Sequence, residues 1–229
     1  MNLDNMPYFV FNNTKSTSLG IVIKELPPIV KAAKDIESIS ISGSNRMLHI
    51  DNGTYKSKTY KVKCALLDLT KINQIKQLLD STGTLELSSE PNIVYRAVVK
   101  NQIDFGKYLS YLKDFTITFE LDPIGYSKTA IANTYTASSN SFTVGGNVIT
   151  YPTLVITGVG TITLNNKQVQ VLETGITVDC ELMNCTKNGS NKNDKVILDV
   201  FPNLIVGSNT LVLGQGITSV SVEYKEGWL

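Results

Sequence analysis

Histidine is nearly missing from this chain: His49 is the only one in 229 residues. A metal centre built on several imidazoles, or a nucleophile served by a histidine base, would have to be built around that one residue. His49 lies between Leu48 and Ile50, and no Gly-x-Ser-x-Gly occurs anywhere, so it reads as a structural residue at a loop edge. Cysteine is scarce too, at positions 64, 180 and 185. An odd count argues for free thiols made in a reducing compartment. Cys180 and Cys185 are close enough for a disulfide to be conceivable, but both fall at strand-like or turn-edge positions that suit buried thiols. Neither sign of charge dominates, with 21 basic against 20 acidic residues. That leaves no global electrostatic case for nucleic acid or an anionic membrane. No stretch approaches the ~20 apolar residues of a membrane span. Met1–Tyr8 has neither a basic region nor a long apolar run, so no secretory signal is expected. The Asn-x-Ser/Thr triplets at Asn12, Asn52, Asn184 and Asn188 then mean no more than polar turns.

What is present is β-forming sequence cut by turns. Tyr8–Asn12 and Ser18–Lys24 are strand candidates, and Pro27-Pro28 then breaks regular structure. Asp35–Ser42 carries Ile36, Ile39 and Ile41 as an apparent strand ending at Gly43, followed by a polar segment, Ser44–Thr54, with the tight-turn pair Asn52-Gly53. Tyr60, Val62, Cys64 and Leu66 alternate with Lys61, Lys63 and Ala65, the period of a strand with one buried face. One amphipathic helix is expected over about 68–82. Asp68 or Thr70 can cap it, Leu69, Ile72, Ile75 and Leu78/Leu79 recur at helical spacing, and Ser81-Thr82-Gly83 can end it through a left-handed glycine. Strands resume at Thr84–Ser88, Ile93–Lys100 and Asp114–Leu121, and Asp122–Tyr126 is a turn.

The second half holds many short strands at close spacing. They are Ser141–Val144, Asn147–Thr150, Thr153–Thr157, Thr161–Leu164, Gln168–Leu172, Ile176–Cys180, Lys195–Leu198, Thr210–Leu213 and Ser219–Tyr224. Gly or Asn punctuates them, which argues an all-β sandwich. Ile176–Lys195 reads as two strands around a polar turn, Lys187–Asp194. The division implied is residues 1–126, a linker or edge strand over 127–140, and 141–229. The fold class is mainly β: two β-sandwich or barrel-like domains, with the helix in the first.

The chemistry-bearing residue types do not converge. Gly158-Val159-Gly160 lacks the third glycine and the following helix of a phosphate loop and reads as a turn. Asp179 and Glu181, two apart, would share a strand face; a glycosidase pair would also need a polar, aromatic groove. The Asn188–Asp194 loop lacks the carboxylates and closing Glu of a calcium loop. Lys56, Lys58, Lys61 and Lys63 form a basic run, read either as a solvated face or as a stripe facing an acidic partner. Of the aromatics Phe142, Tyr151, Phe201, Tyr224 and Trp228, which a sugar platform would need, Phe142 and Phe201 read as core and Trp228 as an anchor for the chain end. No catalytic, cofactor or metal residue is assigned.

The order and spacing of several short pieces resemble the distal tail proteins, hub subunits at the tail tip of siphophages of Gram-positive bacteria. The pieces are Tyr151–Gly158, Thr161–Asn165, Asp179–Cys185, Asn191–Val196, Phe201–Leu204, Gly207–Leu211 and the terminal Trp228-Leu229. The first half adds Phe11-Asn12, Ser18–Ile21, Ile41–Gly43, Leu48, Tyr55, Gly83–Leu85, Phe115–Pro123 and Tyr126. The resemblance implies a hexameric ring formed by the N-terminal domains, joining the tail tube protein to the tail-associated, baseplate or receptor-binding protein. It also implies a galectin-like C-terminal sandwich and a place at the virion tail tip after assembly in the host cytoplasm. Nothing in the residues supports an enzyme, and no cofactor is expected. Two other readings stay open: a carbohydrate-binding sandwich for wall attachment, through Tyr151 or Trp228, and a glycan-cleaving enzyme through Asp179 or Glu181.

Overall fold

The computed structural model describes residues 6–103 and 113–229. Residues 1–5, which hold most of the stretch searched for a signal, lie outside them. The chain divides into two compact units, Met1–Gly125 with Leu229, and Tyr126–Trp228. In each, strands are the main regular structure.

The first unit contains β1 (Phe9–Phe11), β2 (Thr14–Lys15), β3 (Ile21–Glu25), β4 (Lys34–Ser40), β5 (Met47–Tyr55), β6 (Lys58–Leu66), helix α1 (Ile72–Leu79), β7 (Thr82–Leu87), β8 (Ile93–Val99) and β9 (Lys113–Leu121). Its main sheet runs β2-β1-β7-β8-β9-β6-β3. The alternation in β6 sets its register. Tyr60, Val62 and Cys64 face inward opposite Phe119, Ile117 and Phe115 of β9. The sheet curls: Phe9 of β1 and Phe119 of β9, three strands apart in the order, meet edge to face with ring centroids 5.6 Å apart. Ile75 and Leu79 of α1 join that core. The apolar residues thus satisfy one another across a closed-up sheet.

The helix is shorter than 68–82. Asp68 accepts a hydrogen bond from the Thr70 backbone N–H and starts a 3-10 turn, Leu69–Lys71, which runs into α1. Leu69 on that turn faces solvent rather than the core. The helix stops at Asp80 in a near-helical conformation, not at a left-handed glycine. Gly83 lies inside β7, paired with Ala97. It must be glycine for another reason: a Cβ there would overlap the Asn12 side-chain amide. That amide accepts from Thr84 N–H and donates to Ser81 Oγ, so it cannot easily move away. Ser16–Leu19, expected in part as strand, is a 3-10 turn closed by Gly20 in the left-handed region.

β10 (Gly125–Ser127) lies at the division. The second unit follows with β11 (Ile131–Tyr135), β12 (Ser139–Val144), β13 (Thr153–Gly158), β14 (Gly160–Leu164), β15 (Lys167–Val171), β16 (Ile176–Asp179), β17 (Asn184–Lys187), β18 (Ser190–Asn191), β19 (Val196–Ile197), β20 (Gly207–Leu213), β21 (Ile217–Tyr224) and β22 (Gly227–Trp228). One sheet runs β11-β21-β13-β16-β17-β18 and the other β12-β20-β14-β15-β19. Leu154, Ile156, Val178 and Val222 from the first meet Ile162, Leu164, Val169 and Leu211 from the second in one apolar core. That makes a sandwich. The stretch 127–140 is not free linker: β11 and the start of β12 each form the edge of a sheet. Ile176–Lys195 also holds more than two strands. β17 and β18 are inserted before β19, which pairs with β15 in the opposite sheet.

Candidate functional site

The residues that sequence reasoning singled out are scattered, and most have local jobs. His49 sits on β5, and its Nδ1 pairs with Ser38 Oγ of β4 at 2.8 Å. Asp179 and Glu181 do not share a strand face, because β16 ends at Asp179 and the chain turns. Asp179 Oδ1 accepts from the backbone N–H of Glu181 and Leu182 and holds that turn. A carboxylate committed to two amides is a structural clamp. Gly158-Val159-Gly160 is the corner between β13 and β14. A Cβ on either glycine would press into the backbone carbonyls of Gly216 or Gln215.

The oxygens of the Asn188–Asp194 loop are also in use. Asn193 Oδ1 accepts from Cys185 N–H, Asn191 Oδ1 from Asn193 N–H, and Asn191 Nδ2 donates to Asn184 Oδ1. Among the described residues no three His, Cys, Asp or Glu side chains are grouped to hold a metal ion. Cys64, Cys180 and Cys185 are buried and free. Burial pushes the Cys64 and Cys180 thiols up to about 12, and raises that of Cys185.

The basic run is split by the pleat. Lys63 pairs with Glu25 at 2.6 Å and Lys56 lies 3.6 Å from Asp35, while Lys61 is exposed. Lys58 points the other way, into the first unit, and is only 4% exposed. The outer face is therefore mixed in sign, with Lys24–Asp114 and Lys100–Glu120 pairs beside it, and offers no continuous positive stripe. The aromatics of the second unit mostly satisfy each other. Phe142 stacks on Tyr135 at 5.2 Å and reaches Tyr224 at 6.3 Å. Phe201 packs on the core. Tyr151 is the exception, 41% exposed.

The surface that sequence reasoning missed is the β4–β5 hairpin. Ser44–Thr54, read as a polar segment, contains most of strand β5. Among the described residues β4 and β5 pair only with each other, apart from the main sheet. Directly paired residues share a face. One face carries Ile36 with Asp51, Ser38 with His49, and Ser40 with Met47, so its exposed apolar residues, Ile36 and Met47, are interleaved with polar ones. The other carries the pair Ile39–Leu48 and then Ile50 opposite Glu37; Ile41, two residues beyond Ile39, continues that side. Ile39, Ile41, Leu48 and Ile50 are each 41–51% exposed. Nothing within the described chain covers them. A two-stranded ribbon gains little from its own contacts, and an exposed apolar face on one is a candidate contact surface. The signal available was Met47, Leu48 and Ile50 inside the supposed polar segment.

No family model matches this sequence, and no curated protein does. Among solved structures, it is similar over 98% of its own length and 100% of the other chain to the crystal structure of SPP1 Dit protein, with a TM-score of 0.80 at 15% sequence identity. That structure is described as a paradigm of the hub adsorption apparatus in phages infecting Gram-positive bacteria.

Proposed function

We propose that this chain, which has the mainly β fold of the Dit protein, is a structural hub subunit of a phage or phage-like tail tip. The observation that carries the reading is the whole-length likeness to Dit: both units are matched, not one common sandwich. In this reading the copies close into a hexameric ring through their first units. The ring joins the tail tube protein on one side to a tail-associated, baseplate or receptor-binding protein on the other. The chain works as a connector and not as a catalyst, at the virion tail tip, after assembly in the host cytoplasm.

The exposed apolar face of the β4–β5 hairpin supports assembly. In a cyclic ring each copy gives one heterologous contact and receives another, so no contact is left open. A protruding ribbon with a sticky face suits such a contact, because it reaches a neighbour without rearranging its own sheet.

The test is absolute mass by light scattering after gel filtration at several concentrations, with negative-stain imaging of the largest peak. Six-subunit rings with a central hole are the expected result. A monomer at every concentration, with and without the tail tube protein, would overturn the reading. The sandwich and Tyr151 would then be the parts to test against wall polysaccharides.

A further inference from the structure

Charge is missing from a large part of the second unit. The chain is 18% charged, yet no charged residue stands between Lys128 and Lys167, or between Asp199 and Glu223. These two stretches fold together: β12 pairs with β20 along its length, and β20 pairs with β14. On the solvent side Ser139, Ser141 and Thr143 of β12 stand beside Val212, Thr210 and Ser208 of β20, all exposed. A surface without charge lacks the main guard against association.

The same strands form an open edge. Among the described residues nothing pairs with the far side of β12, nor with that of β11, which ends the other sheet. Tyr135 of β11 stacks on Phe142 of β12, so both edges lie on one side of the sandwich. The ladder shows which backbone groups point away. Ser139 is paired with Val212, and Leu213 N–H donates to Ser138 C=O. Hydrogen-bonded positions alternate along an antiparallel strand. Ser138, Asn140 and Phe142 therefore turn their N–H and C=O toward β20, and Ser139, Ser141 and Thr143 turn theirs outward. Of these outward groups the Thr143 C=O has the Tyr224 hydroxyl at 3.5 Å and keeps a second lone pair.

Natural sheets guard such edges with lysine, proline, bulges or very short strands. The opposite edges of this sandwich are guarded. β18 and β19 have two residues each, with Lys192 and Lys195 between them. β12 has six residues, an unbroken register, no proline and no charge. That contrast decides the occupant. β18 and β19 are too short to answer β12, so a head-to-tail contact between the two sides of the sandwich has nothing to form on. β12 can answer itself. A two-fold contact sets the strand antiparallel to its own copy, where a charge near the axis would meet its like, and β12 carries none.

We propose that two copies of the chain pair through β12, antiparallel about a two-fold axis at Ser141, so that their five-stranded sheets run on as one. In this register Ser141 faces Ser141, and Ser139 faces Thr143 of the second copy. Each outward N–H then meets an outward C=O. A two-fold contact closes on two subunits and has no place inside a six-membered ring. It is separate from the ring contact, and joins free subunits or subunits of different rings.

The experiment is sedimentation velocity with amide exchange on the full chain at rising concentration. Four forms are compared: the parent, Ser141→Pro, the hairpin variant with Ile39, Ile41, Leu48 and Ile50 changed to threonine, and the combination. The hairpin variant should still pass from monomer to dimer, and the Ser139, Ser141 and Thr143 amides should gain protection as it does. Proline suits an edge position whose N–H faces solvent, so Ser141→Pro keeps the fold and removes a bond from each copy. It should weaken the dimer by at least about tenfold. Ser141→Lys keeps the N–H and sets like charges at the axis. It should weaken the dimer too, and it serves where proline costs the fold. Dimers untouched by both substitutions overturn the proposal, as does exchange at these amides that stays fast at every concentration. The amides read the edge in every form, whether or not a ring is present, so loss of the six-subunit ring bears on the hub reading alone.

Discussion

Replacing Ile39, Ile41, Leu48 and Ile50 together by threonine isolates the hairpin face from everything else in the first unit. The side chains are roughly half exposed, at 41–51%. Fully burying an Ile or Leu side chain stabilises by about 1.5–3 kcal/mol, so burying the exposed half of each on a neighbour gives about 0.8–1.5 kcal/mol. Four of them supply about 3–6 kcal/mol per contact, or ~10²–10⁴ in Kd. Threonine keeps the β-branched backbone preference and removes most of that apolar area. Because the four residues touch no core, the monomer should hardly notice; exposed substitutions of this kind fall within about 0.5 kcal/mol each. The assay is sedimentation velocity across a concentration series, beside a urea melt of the same samples. Assembly should weaken by at least 100-fold, the lower end of that range, with the urea midpoint nearly unchanged. A variant that assembles as tightly as the parent would refute the assignment of this face. A variant that unfolds would refute the claim that the hairpin stands outside the core.

Three further outcomes test the fold. Asn209→Ala should cost about 2–4 kcal/mol in urea unfolding. The fully buried Asn209 amide accepts from Ile205 N–H and Asn165 Nδ2 and donates to the Ile205 and Gly207 carbonyls, and alanine strands all four partners. Met183→Gly should raise stability by up to about 1 kcal/mol, since Met183 holds φ 52° in the β16–β17 turn, which an L side chain resists, and is 62% exposed. A loss on that substitution would mean that the side chain has a contact worth more than the strain. Glu173 is held below its ordinary range by Lys187 and Lys192. Its contribution is therefore present above the usual carboxylate pKa and is lost as pH falls through the depressed one. Glu173→Gln should destabilise at neutral pH and flatten the acid limb of stability measured by melts from pH 7 to pH 3; an unchanged slope would show that the pair is screened out.

How much was legible depended on whether a core was there to read the pattern. β13 and β21 alternate sharply because one face packs and the other is wet: Leu154 and Ile156 are buried while Val155 and Thr157 are exposed. β5 lacks that contrast. Met47, Leu48, His49 and Ile50 are all exposed, so their sequence need not alternate and the strand hid among polar neighbours. β17 hid for a simpler reason: Asn184-Cys185-Thr186-Lys187 offers one apolar residue. The helix end misled because Ser81-Thr82-Gly83 has the composition of a stop, whereas Gly83 is required by the Asn12 side chain one strand away. The lysine run misled in the same manner. Composition treats Lys58 and Lys61 alike, and only the pleat of β6 sends one inward and the other outward.

The two units differ in how completely they satisfy themselves. In the second, the buried polar side chains are met: Thr150 Oγ1 donates to Lys225 C=O, and the Asn209 amide is fully bonded. In the first, buried Ser16 is met by Phe9 N–H, yet the buried Lys58 ammonium has the Tyr95 ring at 4.5 Å in place of a hydrogen-bond acceptor, and the hairpin face is left exposed. Sequences that specify one structure tend to agree at every level, and the exceptions gather where function is placed. Both exceptions of the first unit lie on consecutive elements, the apolar face toward the tip of the hairpin and Lys58 where β6 begins beyond its base. A surface patch alone would be weak grounds for an interface, and an unsatisfied buried charge alone would be weak grounds for a site. A ribbon that must present an apolar face to a neighbour needs a rigid base, or the contact loses in ordering entropy what it gains in burial. Lys58, packed against the Tyr95 ring where β6 begins beyond the hairpin, supplies such a base without adding apolar surface. Lys58→Met therefore has a consequence in the assembled protein. It should weaken self-association although Lys58 is buried and touches no neighbour, and sedimentation of that variant at a temperature well below its melt decides the point.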